Sequence, residues 1–304
     1  MEPFRIHILG CGSALPTLRH NPSSQVVEVR GKMFMIDCGE GTQLQLRRVK
    51  VRFTKVGAVF ISHLHGDHCF GLIGMISTFG MLGRTADLHI YAYKDLEDIL
   101  QREISYFCKD LEYKVVFHAI DPSRQQVVYE DRSVQVETVP LQHRVPCCGF
   151  IFREKPTLPH IRRDMIDCYE IPVSQINNIK NGADWTTPDG VVVPNARLVE
   201  PADAPRSYAY CSDTHYYPGL AERVRGVDTL YHEATYDASC EARAQLYHHS
   251  TARQAAVVAR DAGVRQLVIG HFSARYDEED LLLDEARAVF PATVLASEGK
   301  VIDV

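Results

Sequence analysis

The feature that most limits what this chain can fold into is the motif HLHGDH, which runs from His63 to His68. Residues 58–61, directly before it, form a short apolar run that is typical of a buried strand. Residues 69–82, directly after it, are mostly apolar and predict a buried helix. Three imidazoles and one carboxylate at the end of a rigid strand form a ligand set that suits zinc. The motif therefore predicts a metal site whose remaining ligands the fold must bring from elsewhere.

Three more side chains are candidates for those ligands, because each stands a few residues after the end of a predicted strand: His143, Asp213 and His271. In α/β folds, functional side chains converge at the carboxyl ends of strands. Strands and helices alternate in both halves of this chain, which predicts sheets covered by helices on their outer faces. We therefore expect all three side chains at the edge of a sheet, beside HLHGDH.

Length and composition indicate one large globular domain over residues 1–304, since 45% of the residues are hydrophobic. No run of about 18 apolar residues occurs, and no signal peptide is recognised, so we expect a cytoplasmic protein without a membrane span. Nine cysteines without C-x-x-C spacing predict reduced thiols and neither a disulfide framework nor a zinc finger. The net charge of −6 gives no global attraction to nucleic acid.

Residues 154–206 differ in character from the rest of the chain, because they are rich in proline, asparagine and aspartate. Seven of the fifteen prolines lie in this stretch. We interpret the stretch as an excursion from the core of the single domain and not as a separate domain.

Taken together, these motifs resemble the metallo-β-lactamase superfamily and, more narrowly, its tRNase Z family. HLHGDH marks the superfamily, and the likeness extends over nearly the whole chain, including Asp37 in the sequence DCGEGTQ. Three motifs mark the narrower family: HEAT at His232–Thr235, HST at His249–Thr251 and GHFSARY at Gly270–Tyr276. The resemblance implies an αββα sandwich, in which two mixed β-sheets pack face to face with helices on the outer faces.

The resemblance also implies a site with two Zn²⁺ per subunit. One ion would be held by three histidines and the other by one aspartate and two histidines: His63, His65 and His143, and then Asp67, His68 and His271. Asp213 would bridge the two ions, and Asp37 would orient ligands from behind them.

The activity implied is that of a zinc-dependent endoribonuclease that cuts the 3′ trailer from precursor tRNA. The cut would leave a 3′-hydroxyl on the tRNA and a 5′-phosphate on the trailer. Asp67 would orient or deprotonate the attacking water, and His249 would protonate the leaving oxygen. Glu233 would orient His249, and His232 would support Asp67.

The implied partners are precursor tRNA and a second copy of the chain. In the family, an inserted arm grips tRNA, and short members form homodimers in which the arm of one subunit presents tRNA to the other. The excursion at 154–206 occupies the place of that arm. The chain departs from the family in the P-x-K-x-R-N loop, where Leu18 and His20 replace the lysine and the arginine. It also has Ile171-Pro172-Val173 in place of the Gly-Pro motif of the arm.

Two other functions remain open at this point. A hydrolase of the same superfamily that acts on a small phosphodiester or another ester would share every metal ligand. Only HEAT, HST and the 154–206 excursion favour RNA over such a substrate. A non-catalytic RNA-binding protein of the same fold is disfavoured, because the predicted ligand set is complete.

Overall fold

The computed structural model describes residues 2–304, which divide into a larger unit of residues 2–153 and 206–304 and a smaller unit of residues 154–205. The described residues form eighteen strands: β1 (Phe4–Gly10), β2 (Ser24–Val29), β3 (Lys32–Ile36), β4 (Val56–Phe60), β5 (Leu88–Tyr93), β6 (Val115–Ile120), β7 (Val127–Glu130), β8 (Val134–Pro140), β9 (Cys148–Glu154), β10 (His160–Ile161), β11 (Trp185–Thr186), β12 (Val192–Val193), β13 (Val199–Glu200), β14 (Ser207–Cys211), β15 (Thr229–Glu233), β16 (Gln266–Gly270), β17 (Thr293–Leu295) and β18 (Val301–Asp303).

The same residues form eleven α-helices: α1 (Thr42–Arg48), α2 (Gly66–Cys69), α3 (Leu72–Met81), α4 (Asp95–Phe107), α5 (Arg163–Cys168), α6 (Val173–Lys180), α7 (Asn195–Leu198), α8 (Gly219–Arg223), α9 (Glu241–Tyr247), α10 (Ala252–Ala262) and α11 (Asp280–Arg287). Two short 3₁₀ helices lie at Phe53–Lys55 and Ala238–Cys240. Among residues 2–304, no helix is both long enough and apolar enough to cross a membrane.

Two seven-stranded sheets form the larger unit. The first has the order β18-β1-β2-β3-β4-β5-β6, in which β18 to β3 pair antiparallel and β3 to β6 pair in parallel. The second has the order β17-β16-β15-β14-β9-β8-β7, in which β14 to β17 are parallel and β9 is antiparallel to β14. Both sheets are mixed, as predicted.

The sheets pack face to face through aromatic rings. Along β4 successive side chains point to opposite faces, so Phe60 enters the core between the sheets while Val59 packs outward in the cluster that contains Met75 of α3. The Phe60 ring centroid lies 5.3 Å from that of Phe150 and 5.5 Å from that of Phe152, both on β9. Helix α10 turns a face of buried alanines toward the second sheet. The predicted αββα sandwich is confirmed.

The helix predicted over residues 69–82 is interrupted at its start. Helix α2 ends at Cys69, and α3 begins only at Leu72. Gly71 lies between them, and its backbone nitrogen donates a hydrogen bond to the carbonyl of Cys38 at 2.9 Å. A Cβ at this position would lie 2.1 Å from the carbonyl oxygen of Gly39. The break therefore lets HLHGDH lie directly against the segment that contains Asp37.

The smaller unit has a core of its own. Its strands form two short antiparallel pairs, β10 with β13 and β11 with β12. Ile171, Ile179 and Leu198 are buried together, with Trp185 packed against them. The indole nitrogen of Trp185 donates a hydrogen bond to the carbonyl of Tyr169 at 3.2 Å.

Replacing Phe60 with alanine should lower the free energy of unfolding by about 3–5 kcal/mol, because the ring is fully buried and stacks on Tyr91 at 4.7 Å. Phe107 is 67% exposed, so Phe107→Ala should change the same quantity by about 0.5 kcal/mol or less. Urea unfolding followed by circular dichroism measures both variants. Equal losses in the two would contradict this account of the core between the sheets.

Candidate metal centre

Four ligand atoms converge at the first of two adjoining clusters. His63 Nε2 lies 3.0 Å and His143 Nε2 lies 3.2 Å from His65 Nδ1. The Oδ2 atom of Asp213 is 3.6 Å from His63 Nε2 and 3.8 Å from His143 Nε2. Residues more than 140 positions apart in the sequence thus present their ligand atoms to one point, as the strand-end prediction required.

The second cluster shares Asp213. Its Oδ1 atom lies 3.4 Å from His68 Nε2 and 3.2 Å from His271 Nε2. Asp67 Oδ2 is 3.3 Å from the first of these nitrogens and 3.4 Å from the second. The two carboxylate oxygens of Asp213 therefore face different clusters, which is the arrangement of a bridging ligand.

These side chains fit a metal ion. The Nε2 atoms of His68 and His271 are buried without a hydrogen-bond partner among the described residues 2–304, although buried polar atoms in native proteins are nearly always paired. Burial also lowers the pKa of His143 to about 4 and places the pKa of His63 well below its usual range. Both rings are therefore neutral at physiological pH, and a neutral imidazole is the form that binds a metal.

Asp37 holds His68 in the orientation that a ligand needs. The carboxylate is fully buried directly after β3, and it accepts hydrogen bonds from the backbone nitrogen and the hydroxyl of Ser62 at 2.7 and 2.9 Å. It also accepts from the Tyr210 hydroxyl and from His68 Nδ1, both at 2.8 Å. With its proton on Nδ1, His68 directs the lone pair of Nε2 toward the cluster.

Two more histidines are fixed through the nitrogen that faces away from the cluster. His143 Nδ1 donates to the carbonyl of His248 at 2.9 Å. His271 Nδ1 lies 2.9 Å from the hydroxyl of Thr235. The carbonyl of His248 can only accept, and the Thr235 hydroxyl donates its proton to Glu233 Oε2 at 2.8 Å, so both rings carry a proton on Nδ1 and present Nε2 to the cluster.

A protonatable pair adjoins the clusters. Glu233 is fully buried, and its Oε1 accepts from His249 Nδ1 at 2.9 Å and from the backbone nitrogens of Ser250 and Thr214 at 3.0 and 3.1 Å. Burial opposes protonation of His249, but the neighbouring Glu233 carboxylate outweighs it and raises the pKa of His249 to about 9. His249 Nδ1 lies 4.0 Å from Asp213 Oδ2. A protonated imidazole, held by a carboxylate, therefore stands at the edge of the ligand clusters.

The structure does not bring His232 to Asp67. His232 is next to Glu233 on β15, and adjacent strand residues point to opposite faces. Glu233 faces the clusters, so His232 faces away from them. Its Nδ1 lies 2.7 Å from the carbonyl of Glu233, and its buried Nε2 has no hydrogen-bond partner among residues 2–304. These contacts of His232 therefore give Asp67 no support.

Sequence reasoning did not identify Ser62 and Tyr210, which complete the surroundings of Asp37. Ser62 directly precedes HLHGDH, and that position was the only signal available. Tyr210 lies in the fully buried strand β14, where a tyrosine is an ordinary strand residue.

Comparisons with known proteins show which family and which fold this chain shares. A family model described as "Anti-Pycsar protein Apyc1" matches residues 4–160, about half of the chain. A protein named "Ribonuclease Z" from Bacteroides fragilis is 59% identical over 304 residues, which is 100% of both chains. The crystal structure of human tRNase Z, short form, superposes with a TM-score of 0.70 at 24% identity and covers 98% of each chain. That of the metallo-β-lactamase fold protein YhfI from Bacillus subtilis gives 0.70 at 19% identity over 100% of each chain.

Replacing Asp37 with asparagine should weaken metal binding by about 10- to 100-fold, because the amide no longer fixes the tautomer of His68. Asp131→Asn is the matched control, since that carboxylate also accepts several hydrogen bonds but lies at the turn between β7 and β8. Competition with a chelator measures the metal affinity of both variants. An unchanged affinity in Asp37→Asn would show that the carboxylate does not position the ligand.

Proposed function

The chain belongs to the ribonuclease Z family, and we propose that it is a zinc-dependent endoribonuclease that removes the 3′ trailer from precursor tRNA. The observation that carries this proposal is the convergence of the His/Asp clusters with the Glu233–His249 pair. The clusters are suited to phosphodiester hydrolysis in general. Glu233 and His249 belong to the HEAT and HST motifs, which separate this family from others with the same metal ligands.

The proposed site holds two zinc ions. The cluster of His63, His65 and His143 would bind one ion, and the cluster of Asp67, His68 and His271 the other, with Asp213 shared between them. Nitrogen and carboxylate ligands in these numbers suit Zn²⁺. When bound, the two ions would stabilise negative charge on the attacking and the leaving oxygens of an in-line displacement.

Two side chains, Asp67 and His249, would accept and donate the protons of the reaction. Asp67 would orient the attacking water and accept its proton, while the water oxygen forms the new bond to the phosphorus of the trailer. His249, with Nδ1 held by Glu233, would donate a proton from Nε2 to the departing 3′-oxygen as its bond to phosphorus breaks. The products are a 3′-hydroxyl on the tRNA and a 5′-phosphate on the trailer. No step is assigned to His232, because it lies on the other face of β15.

Residues 154–205 are proposed as the arm that binds tRNA within a homodimer. Their own small core supports a unit that keeps its shape without the active site. The unit carries eight acidic and five basic residues, so its net charge would not attract phosphates. A grip on tRNA would therefore rely on individual exposed cations such as Arg163 and Arg197.

The proposed location is the cytoplasm. All nine cysteines, which lie within residues 2–304, are free thiols. Free thiols are expected in a reducing compartment, where precursor tRNA is also processed.

A small phosphodiester is the second candidate substrate. The family model described as "Anti-Pycsar protein Apyc1" covers the HLHGDH motif and His143, which supply five of the seven proposed ligands. HEAT and HST lie outside the matched residues. The proposed ligands within residues 4–160 are thus compatible with either substrate, whereas the HEAT and HST motifs beyond them favour RNA.

Precursor tRNAs with 3′ trailers, with and without an encoded CCA end, should be cut by the purified protein to give tRNA ending in a 3′-hydroxyl. His249→Ala should lower kcat by about 10²- to 10⁴-fold, because the leaving oxygen loses its proton donor. His118→Ala, on the distant strand β6, is the control and should leave kcat unchanged. Turnover of a small phosphodiester together with no cleavage of any precursor tRNA would favour the second candidate substrate instead.

His65→Ala and His271→Ala should each lower the zinc content by one ion per chain relative to the wild type, and the double variant should lower it by two. His89→Ala, outside the clusters, serves as the control with unchanged content. Elemental analysis of dialysed protein gives the numbers. A double variant that loses only one ion would argue against two separate metal positions.

A further inference from the structure

A second group of possible metal ligands lies outside the His/Asp clusters. It consists of Cys11 directly after β1, His20 in the loop before β2 and Glu298 in the turn before β18. Cys11 Sγ is 3.3 Å from His20 Nδ1 and 3.7 Å from both carboxylate oxygens of Glu298. His20 Nδ1 is 2.9 Å from Glu298 Oε2. In the first His/Asp cluster, neighbouring ligand atoms are 3.0 to 3.8 Å apart, so the spacing is alike.

The contacts around this group resemble those that hold ligands in a metal site. His20 Nε2, on the far side of the ring, lies 3.1 Å from the carboxylate of Glu279. A metal-binding histidine characteristically donates its far N–H to a carboxylate, which leaves the other nitrogen for the ion. Glu298 is held in a similar way, because its Oε1 accepts a hydrogen bond from the backbone nitrogen of Asn21 at 2.8 Å.

The backbone is shaped to bring the loop close to Cys11. A Cβ at Gly12 would lie 2.9 Å from His20 Cβ, and a Cβ at Gly10 would lie 1.8 Å from the carbonyl oxygen of Pro22. Two glycines therefore allow His20 to approach a cysteine that is fully buried. Burial and the adjacent Glu298 raise the pKa of the Cys11 thiol well above its usual range, so a metal ion would bind this sulfur only by displacing its proton.

We propose that Cys11, His20 and Glu298 bind one divalent cation of the zinc class, separate from the ions of the His/Asp clusters. Thiolate, imidazole and carboxylate are all ligands that Zn²⁺ accepts, and a water molecule would complete the tetrahedron. Binding would release one proton from the Cys11 thiol and one from the His20 imidazolium. The incoming charge of +2 thus replaces two protons, and the net charge of the group does not change.

The ion would stabilise a segment that carries a catalytic ligand. The carbonyl of Cys11 accepts a hydrogen bond from the backbone nitrogen of Phe272 at 2.9 Å, and Ser13 donates to the carbonyl of Phe272 at 3.0 Å. Phe272 directly follows His271, whose backbone has a φ of 62°. The proposed ion would therefore fix the loop against which His271 is positioned.

An ion-pair network is the competing explanation of the same contacts. A protonated His20 between Glu279 and Glu298, with Arg19 also bound to Glu279, would account for the position of the ring. This network, however, gives no reason for the Cys11 thiol to lie 3.3 Å from His20 Nδ1. The two explanations differ in a measurable quantity, because only the metal site forms a bond between the Cys11 sulfur and an ion.

Cobalt(II) substitution of the whole protein tests the proposal. The His/Asp clusters contain no cysteine, so a sulfur-to-cobalt charge-transfer absorption reports a cysteine-bound ion alone. We expect this absorption in the wild type, together with one more cobalt ion per chain than in Cys11→Ser. Cys11→Ser should lack the absorption, while Cys211→Ser, an equally buried control, should keep it.

Three further variants keep the test decisive. His20→Arg retains a cation between the two glutamates but removes the ligand, so it should lose the absorption and one ion while its circular dichroism spectrum shows that the chain is folded. Cys147→Ser and Cys69→Ser address two thiols near the clusters, which lie 3.6 Å from His63 Nδ1 and 3.3 Å from the carbonyl of His65, and both variants should keep the absorption. A wild type without the absorption at saturating cobalt, or an absorption that survives in Cys11→Ser, would overturn the proposal and leave the ion-pair network.

Discussion

The rest of the site depends on the hydrogen bonds of one buried carboxylate, that of Asp37. It directly follows β3 of the first sheet, and it accepts hydrogen bonds from Ser62, from His68 and from Tyr210 of the second sheet. A buried charge costs several kcal/mol unless its oxygens are paired, and here four donors serve them. The backbone of Asp37 has a φ of 55°, an uncommon conformation for aspartate that this set of contacts maintains. One side chain thus joins both sheets and sets the tautomer of a ligand.

The remaining ligands converge because the αββα topology places several strand ends at one edge. HLHGDH follows β4, Asp213 follows β14 and His271 follows β16. The HLHGDH motif, Asp213 and His271 each begin within three residues of a strand end, so the sheets fix the backbone where these side chains start. Glu233 ends β15, between β14 and β16, and it brings His249 to the same edge. The proposed proton donor and the proposed ligands therefore lie at the same edge of the two sheets.

Sequence reasoning predicted the residues that converge in the His/Asp clusters, because histidine and aspartate after predicted strands have few structural roles. It gave His232 the wrong surroundings, since the strand alternation that turns Glu233 toward the clusters turns its neighbour away. The break between α2 and α3 was missed, because only the packed structure shows Gly71 against Gly39. The grouping of Cys11 with Glu298 was also missed, because these residues are 287 positions apart and neither belongs to a motif. Local patterns thus predicted the centre of the site, and tertiary packing determined its surroundings.

The account centres on a pair of metal positions that share Asp213. Anomalous diffraction at the zinc edge, from crystals of catalytically active protein, locates bound ions directly. The account predicts one peak within reach of His63, His65 and His143 and a second within reach of Asp67, His68 and His271, with one oxygen of Asp213 at each. A single peak in this region, or two peaks of which Asp213 contacts only one, would contradict it.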